Sequence, residues 1–132
     1  MPKPHIHSDY DVKKYGGVAS DYNHIHELLD SSKATIADGR HRALTHNAWF
    51  IGTILPRIFG ETFVNSDGKT VSTRDIGENH CMMDYGWKFI PSAQDWLEGI
   101  PWQDWHNNGR GEPPPSAREI FKARADVMKM KD

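Results

Sequence analysis

Between residues 20 and 59 apolar side chains recur every three or four positions, and that period commits the chain to a mainly helical fold. Tyr22, Ile25, Leu28 and Leu29 share one face of a helix expected over residues 20–31, with Ser20 and Asp21 at its start. A longer helix is expected over residues 33–59. Its apolar positions, among them Ile36, Leu44, Ile51, Ile54, Leu55 and Ile58, broaden towards the C-terminal half, as in a heavily buried central helix. Gly39 and Gly52 weaken this pattern, Pro56 kinks or ends it, and Gly60 suits the position just after a helix.

The remaining elements are shorter. Two β-prone runs flank Asp67-Gly68, which predicts a hairpin near residues 62–72. Thr73 then caps a helix over about residues 74–85, and Ser92 with Asp95 forms the capping signature of another. Residues 1–17, punctuated by prolines and glycines, are expected to be an irregular arm. Residues 18–105 form the helical domain, residues 106–115 a Pro/Gly linker, and residues 116–132 a basic C-terminal helix. The expected architecture is therefore mainly α: a compact, bundle-like helical domain with a short β-hairpin and a tethered C-terminal helix.

Composition excludes several classes. The 16 basic and 18 acidic residues nearly cancel, so no global field favours nucleic acid or an anionic membrane. No apolar run approaches the roughly 18 residues of a membrane span, and the N-terminus lacks the apolar core of a secretory signal. The single cysteine, Cys81, rules out an internal disulfide and suits a reducing, cytoplasmic setting. The outlier is histidine, with 8 in 132 residues.

Those histidines sit beside carboxylates. His26 and Asp30 are four apart, as are His80 and Asp84, so each pair can project from one helix face. Asp38, Arg42 and His46 follow a four-residue stripe, and His41 lies three after Asp38. Imidazole and carboxylate are a natural ligand set for a divalent Zn, Fe, Mn or Ni ion, and ligands on separate helices can converge in a bundle core. His26, His46, His80 and Asp84 are the expected ligands. Asp30, Asp38 and His41 would orient them or add to them, and His41 or Asp38 would relay protons. The bland alternative is that these are half-buried structural histidines. His5 and His7 form a His-x-His pair on one side of a strand-like arm, a second, weaker metal site or, more plainly, an exposed arm; His24 and His106 carry no assignment.

The string from His26 to Lys33, the block His41-Arg42-Ala43-Leu44-Thr45-His46, and the block Gly77-Glu78-Asn79-His80 with Asp84 and Gly86 resemble a small family of bacterial and bacteriophage proteins of unknown function. The resemblance covers roughly residues 10–105. It implies a small helical domain, and it marks His26, His41, His46, His80 and Asp84 as positions matching the family pattern. It implies no reaction.

Lys33, Arg40, Arg42, Arg57 and Arg74 flank the histidine segments. Beside a metal they would suit a phosphate-bearing small molecule, with Arg42 holding the anion; ordinary surface ion pairing is the plainer account. Trp96, Trp102 and Trp105 fall within ten residues and either cover the helical core or, with the C-terminal helix, contact a protein partner or a second copy. Their acidic neighbours argue against nucleic acid. Two functions follow: a metal-binding protein that hydrolyses a phosphate ester or nucleotide, or a non-enzymatic interaction or structural accessory protein.

Overall fold

The structure, a computed structural model, describes residues 4–130. It is mainly helical with one small antiparallel hairpin. Two compact units divide it, Met1–Gly99 and Ile100–Asp132. The first contains helices α1 (Pro4–Tyr15), α2 (Asn23–Asp30), α3 (Arg42–Thr45), α4 (Leu55–Phe59), α5 (Thr73–Asp84) and α6 (Ala93–Leu97). Its strands are β1 (Thr62–Val64) and β2 (Thr70–Ser72). The second contains a 3₁₀ turn at Asp104–His106 and helix α7 (Pro115–Met130). No helix among the described residues is long and apolar enough to cross a membrane.

The segment expected to be an irregular arm is a helix from its fourth residue. Pro4 takes the first helical position, where its missing N–H is no loss. Gly16 and Gly17, both at positive φ, turn the chain out of the helix. The inward face of α1 is polar, with His7, Ser8 and Asp11 all buried, and it therefore lacks the apolar period that marks a helix in sequence.

The single helix expected over residues 33–59 is several pieces. Residues 31–34 and 39–41 form 3₁₀ turns, α3 is one turn long, and the backbone breaks at His46. Side chains make these breaks. Asp38 Oδ1 accepts from Arg40 N at 2.8 Å and starts the second 3₁₀ turn. Asn47 caps both sides of the His46 break: its Nδ2 donates to Ala43 O and its Oδ1 accepts from Phe50 N. A π-helical turn at Phe50–Ile54 then leads into α4. Pro56 has no N–H to donate back into this helix, which fits a widened turn just ahead of it.

The core gathers Tyr22, Ile25, Leu29, Ile51, Leu55, Val71, Ile76 and Cys81. Leu44 and Ile58, assigned inward by a continuous helical period, point out because that period is interrupted. The hairpin pairs Phe63 with Val71, and its loop is tied to the N-terminal region. Asn65 Nδ2 donates to Tyr15 O and Tyr22 Oη, while the Asp21 carboxylate accepts from Ser66 N and Oγ. Ser92 Oγ accepts from Asp95 N and starts α6, as its capping signature predicts.

α5 packs closely against the Ile51–Leu55 face through Gly77. A Cβ there would lie 2.6 Å from Leu55 Cδ1 and 3.0 Å from Ile51 Cγ2. Both neighbours are core residues with nowhere to move. Gly77→Val should therefore lower stability by about 2 kcal/mol or more through overpacking, with little helix propensity gained in return. Urea unfolding checks this; an unchanged midpoint would contradict the packing described.

Candidate metal centre

Three helices each contribute a histidine and an aspartate four residues apart: His7 and Asp11 from α1, His26 and Asp30 from α2, His80 and Asp84 from α5. That spacing puts both side chains on one helix face, and in each helix it is the buried face. His46, from the break after α3, is the seventh member and is fully buried.

The ligand-type atoms of six of them, all but Asp11, fall into two overlapping groups, within each of which every atom lies within 4.8 Å of the others. His7, His26 and His80 form one; Asp30, His46, His80 and Asp84 form the other. Either could hold a metal ion. Asp84 is the hub, with Oδ2 lying 2.8 Å from His46 Nε2 and 3.4 Å from His80 Nε2, and Oδ1 3.3 Å from His7 Nε2. His80 Nε2 also lies 3.3 Å from Asp30 Oδ1. On the other edge of the ring, His80 Nδ1 is 2.8 Å from His26 Nδ1, and His26 Nε2 is 2.5 Å from Asp11 Oδ2. The His7 ring stacks on His80 with centroids 3.7 Å apart.

Hydrogen-bond logic fixes where some protons sit. Thr45 Oγ1 has one hydrogen and gives it to Leu29 O at 2.7 Å, a carbonyl that can only accept. Thr45 Oγ1 must then accept from His46 Nδ1, 2.8 Å away. In neutral His46 the other nitrogen, Nε2, aims a lone pair at Asp84 Oδ2; in the imidazolium form it donates to that oxygen. Several buried atoms around it have no hydrogen-bond partner among the described residues: both nitrogens of His7, both oxygens of Asp30, His80 Nε2 and Asp84 Oδ1. Each such atom costs roughly 1–3 kcal/mol when left unmatched.

Electrostatics divides the histidines. Burial holds His26 and His46 below their ordinary value, despite the carboxylates beside them. Burial opposes charge on His80 as well, but Asp30 and Asp84 outweigh it and raise its value. Burial likewise works against charge on Asp84, yet contacts with His46, His7 and His80 hold its carboxyl far below the usual range. The two carboxylates thus favour the protonated form of His80 more than its burial opposes it.

The structure brings His26, His46, His80 and Asp84 together, with Asp30 among them. Arg42 reaches the edge, its Nε 3.7 Å from Asp84 Oδ2. His41 is buried beside the centre, its Nδ1 2.7 Å from Ser32 Oγ and its ring 5.9 Å from that of His46. Asp38 does not join them. The helical stripe that would carry it to His46 is replaced by the turn it caps, and it is exposed, paired with Arg40 at 2.8 Å. Lys33, Arg40, Arg57 and Arg74 are also exposed. His7, expected to be exposed in an irregular arm, is buried in the centre, and Asp11 accompanies it. The signal for both was the repeated His-x-x-x-Asp spacing, present four times in the chain, of which His5 and Asp9 are the pair that does not join the centre. Trp96 supports the centre from outside, its Nε1 donating to His46 O at 3.4 Å.

A mainly helical chain whose buried imidazoles and carboxylates could hold a metal ion is the class these features define. More particularly, the chain belongs to the family described as Domain of unknown function (DUF6915), whose model matches residues 2–106. All seven residues of the centre lie inside that match. No curated protein and no solved structure gives a significant match to the chain.

Proposed function

We propose that the chain is a metal-binding protein that uses a divalent transition ion at Asp30, His46, His80 and Asp84 to hydrolyse a phosphate ester or nucleotide. The observation that carries the metal reading is the lone pair of His46 Nε2 facing the Asp84 carboxylate at 2.8 Å, its other nitrogen already committed to Thr45. Two acceptors at that distance are held together by a proton or by a metal ion, and burial works against charge on His46. Nitrogen and oxygen donors without thiolate suit Zn, Fe, Mn or Ni.

The chemistry such an ion supplies is acidification of water and polarisation of an anionic substrate. The chain's own residues would do the rest. Arg42, the member of this group with the most side-chain exposure at 17%, would receive a phosphoryl oxygen at the rim. His41, neutral and adjacent, would exchange a proton with the substrate side through Nε2, which has no partner among the described residues.

Elemental analysis of untagged protein purified without chelators tests the reading. The expected result is near-stoichiometric transition metal, and a melting temperature that falls in EDTA and recovers with added Zn(II). Ligand at a thousand times its Kd adds about 4 kcal/mol to stability, a shift well within measurement. Protein free of metal whose melting is indifferent to both EDTA and Zn(II) would refute it. A second reading makes the histidines structural and the chain an interaction protein; it is favoured by Trp102, Ile120 and Met128, each about two-thirds exposed in the second unit. Solution mass measurement tests it, a strict monomer counting against self-assembly.

A further inference from the structure

Six ligand-type side chains exceed what one four-coordinate ion uses, and they are arranged around two points rather than one. An ion at Asp30, His46, His80 and Asp84 leaves His7, His26 and Asp11 unexplained. These three are 1%, 0% and 1% exposed; His7 Nδ1 has no partner among the described residues, and its Nε2 meets Asp84 Oδ1 at 3.3 Å without hydrogen-bond geometry. His26 is already oriented as ligating histidines are. Asp11 Oδ2, which can only accept, takes the Nε2 proton of His26 at 2.5 Å and leaves the Nδ1 lone pair turned towards His80. His80 offers a different nitrogen to each side, Nε2 to Asp30 and Asp84, and Nδ1 to His26.

We propose that the centre is dinuclear: a second divalent ion is held by His7, His26 and the Nδ1 edge of His80, with Asp11 orienting His26, and the His80 ring bridges the two ions. The inference rests on the metal reading above and adds to it a second site and a shared ligand. Loading the two ions displaces both ring protons of His80 to solvent, the Nε2 proton on the Asp30 side and the Nδ1 proton on the His26 side, so that both nitrogens of His80 and Nδ1 of His26 become donors. The His7 ring, stacked on His80 at 3.7 Å, lies beside the bridge and would turn out of the stack to bring its own nitrogen to the same ion.

Zn(II) titration of the EDTA-stripped full chain, followed by calorimetry and by metal analysis after desalting, counts the ions. Two per chain is the expected result. One per chain at saturation would overturn the dinuclear proposal and leave the metal reading standing, whereas none would overturn both. The wild-type chain loaded with Cu(II) gives an independent readout: a bridging imidazole couples the two ions magnetically, and an uncoupled, single-ion resonance at full loading would refute the bridge. Variants assign the sites. His26→Gln should halve the bound metal while keeping the ion at the Asp30 side, and Asp30→Asn should weaken that ion and spare the other. Loss of both ions together from folded His26→Gln protein would show that the ligand sets are not separate.

Discussion

Asp84→Ala is expected to cost about 3–5 kcal/mol in metal-free protein, the range for removing one partner from a buried charged cluster. The carboxylate contacts His7, His46 and His80 and lies within 4 Å of Arg42. Its removal strips the main counter-charge from a protonated His80 and from Arg42, while Asp30 alone remains beside His80. Urea unfolding in EDTA measures the loss directly, and the same variant should no longer retain metal at the Asp30 side. Asp38→Ala is the contrasting case. That carboxylate is exposed and caps a short turn, so its loss should lower stability far less than loss of Asp84 and leave metal content unchanged. Equal effects at the two positions would contradict the placement of Asp84 as hub.

The second large effect concerns pH. In metal-free protein the buried His26, His41 and His46 have folded values held below the ordinary one by burial. Below about pH 6.5 the unfolded chain binds protons at these positions that the folded chain refuses. Stability therefore falls as pH drops, each group contributing at most about 1.4 kcal/mol per pH unit. His80 has the opposite sign: its raised value gives stability that is fully present below about pH 6.5 and lost as pH rises through the folded value. Asp84 contributes stability present above its ordinary value and lost only in stronger acid. Urea midpoints in EDTA should peak between these limits and fall on both sides. A midpoint that stayed flat from pH 5 to 6.5 would sink the account of buried neutral histidines. His41→Gln, which removes a titrating group outside the ligand set, should flatten the acid limb without changing metal content.

The parts of the centre legible in sequence were those carried by helices with an ordinary apolar period. His26 and Asp30 ride on a helix announced by Tyr22, Ile25 and Leu29, and His80 and Asp84 on one announced by Thr73 and Ile76. His7 and Asp11 have the same spacing, yet their helix buries polar groups and shows no such stripe, so its prolines read as punctuation. Asp38 misled for the converse reason. Its spacing to Arg42 and His46 suits a continuous helix, but Asp38 and Asn47 each hydrogen-bond their own backbone and divide that helix. Short polar side chains make such local bonds at low cost, and periodicity does not register them. Pairing between the elements was also invisible: nothing in the spacing says that the carbonyl of His46 is held by Trp96 fifty positions away.

Helix α1 is joined to the rest largely by polar contacts: His7 to Asp84, Asp11 to His26, Ser8 Oγ to Asn23 Oδ1 at 2.5 Å, and Tyr15 to Asn79 at 2.8 Å. Only Val12 and Tyr15 pack against the apolar cluster. An element fastened in this way opens when the charge state at its foot changes, well before the apolar core lets go. Exchange at the amides of α1 is therefore expected to be a gauge of the centre. Their exchange with deuterated solvent tracks whether a proton or a cation sits among the aspartates, while the amides of α5, buried in the core, keep time with global unfolding.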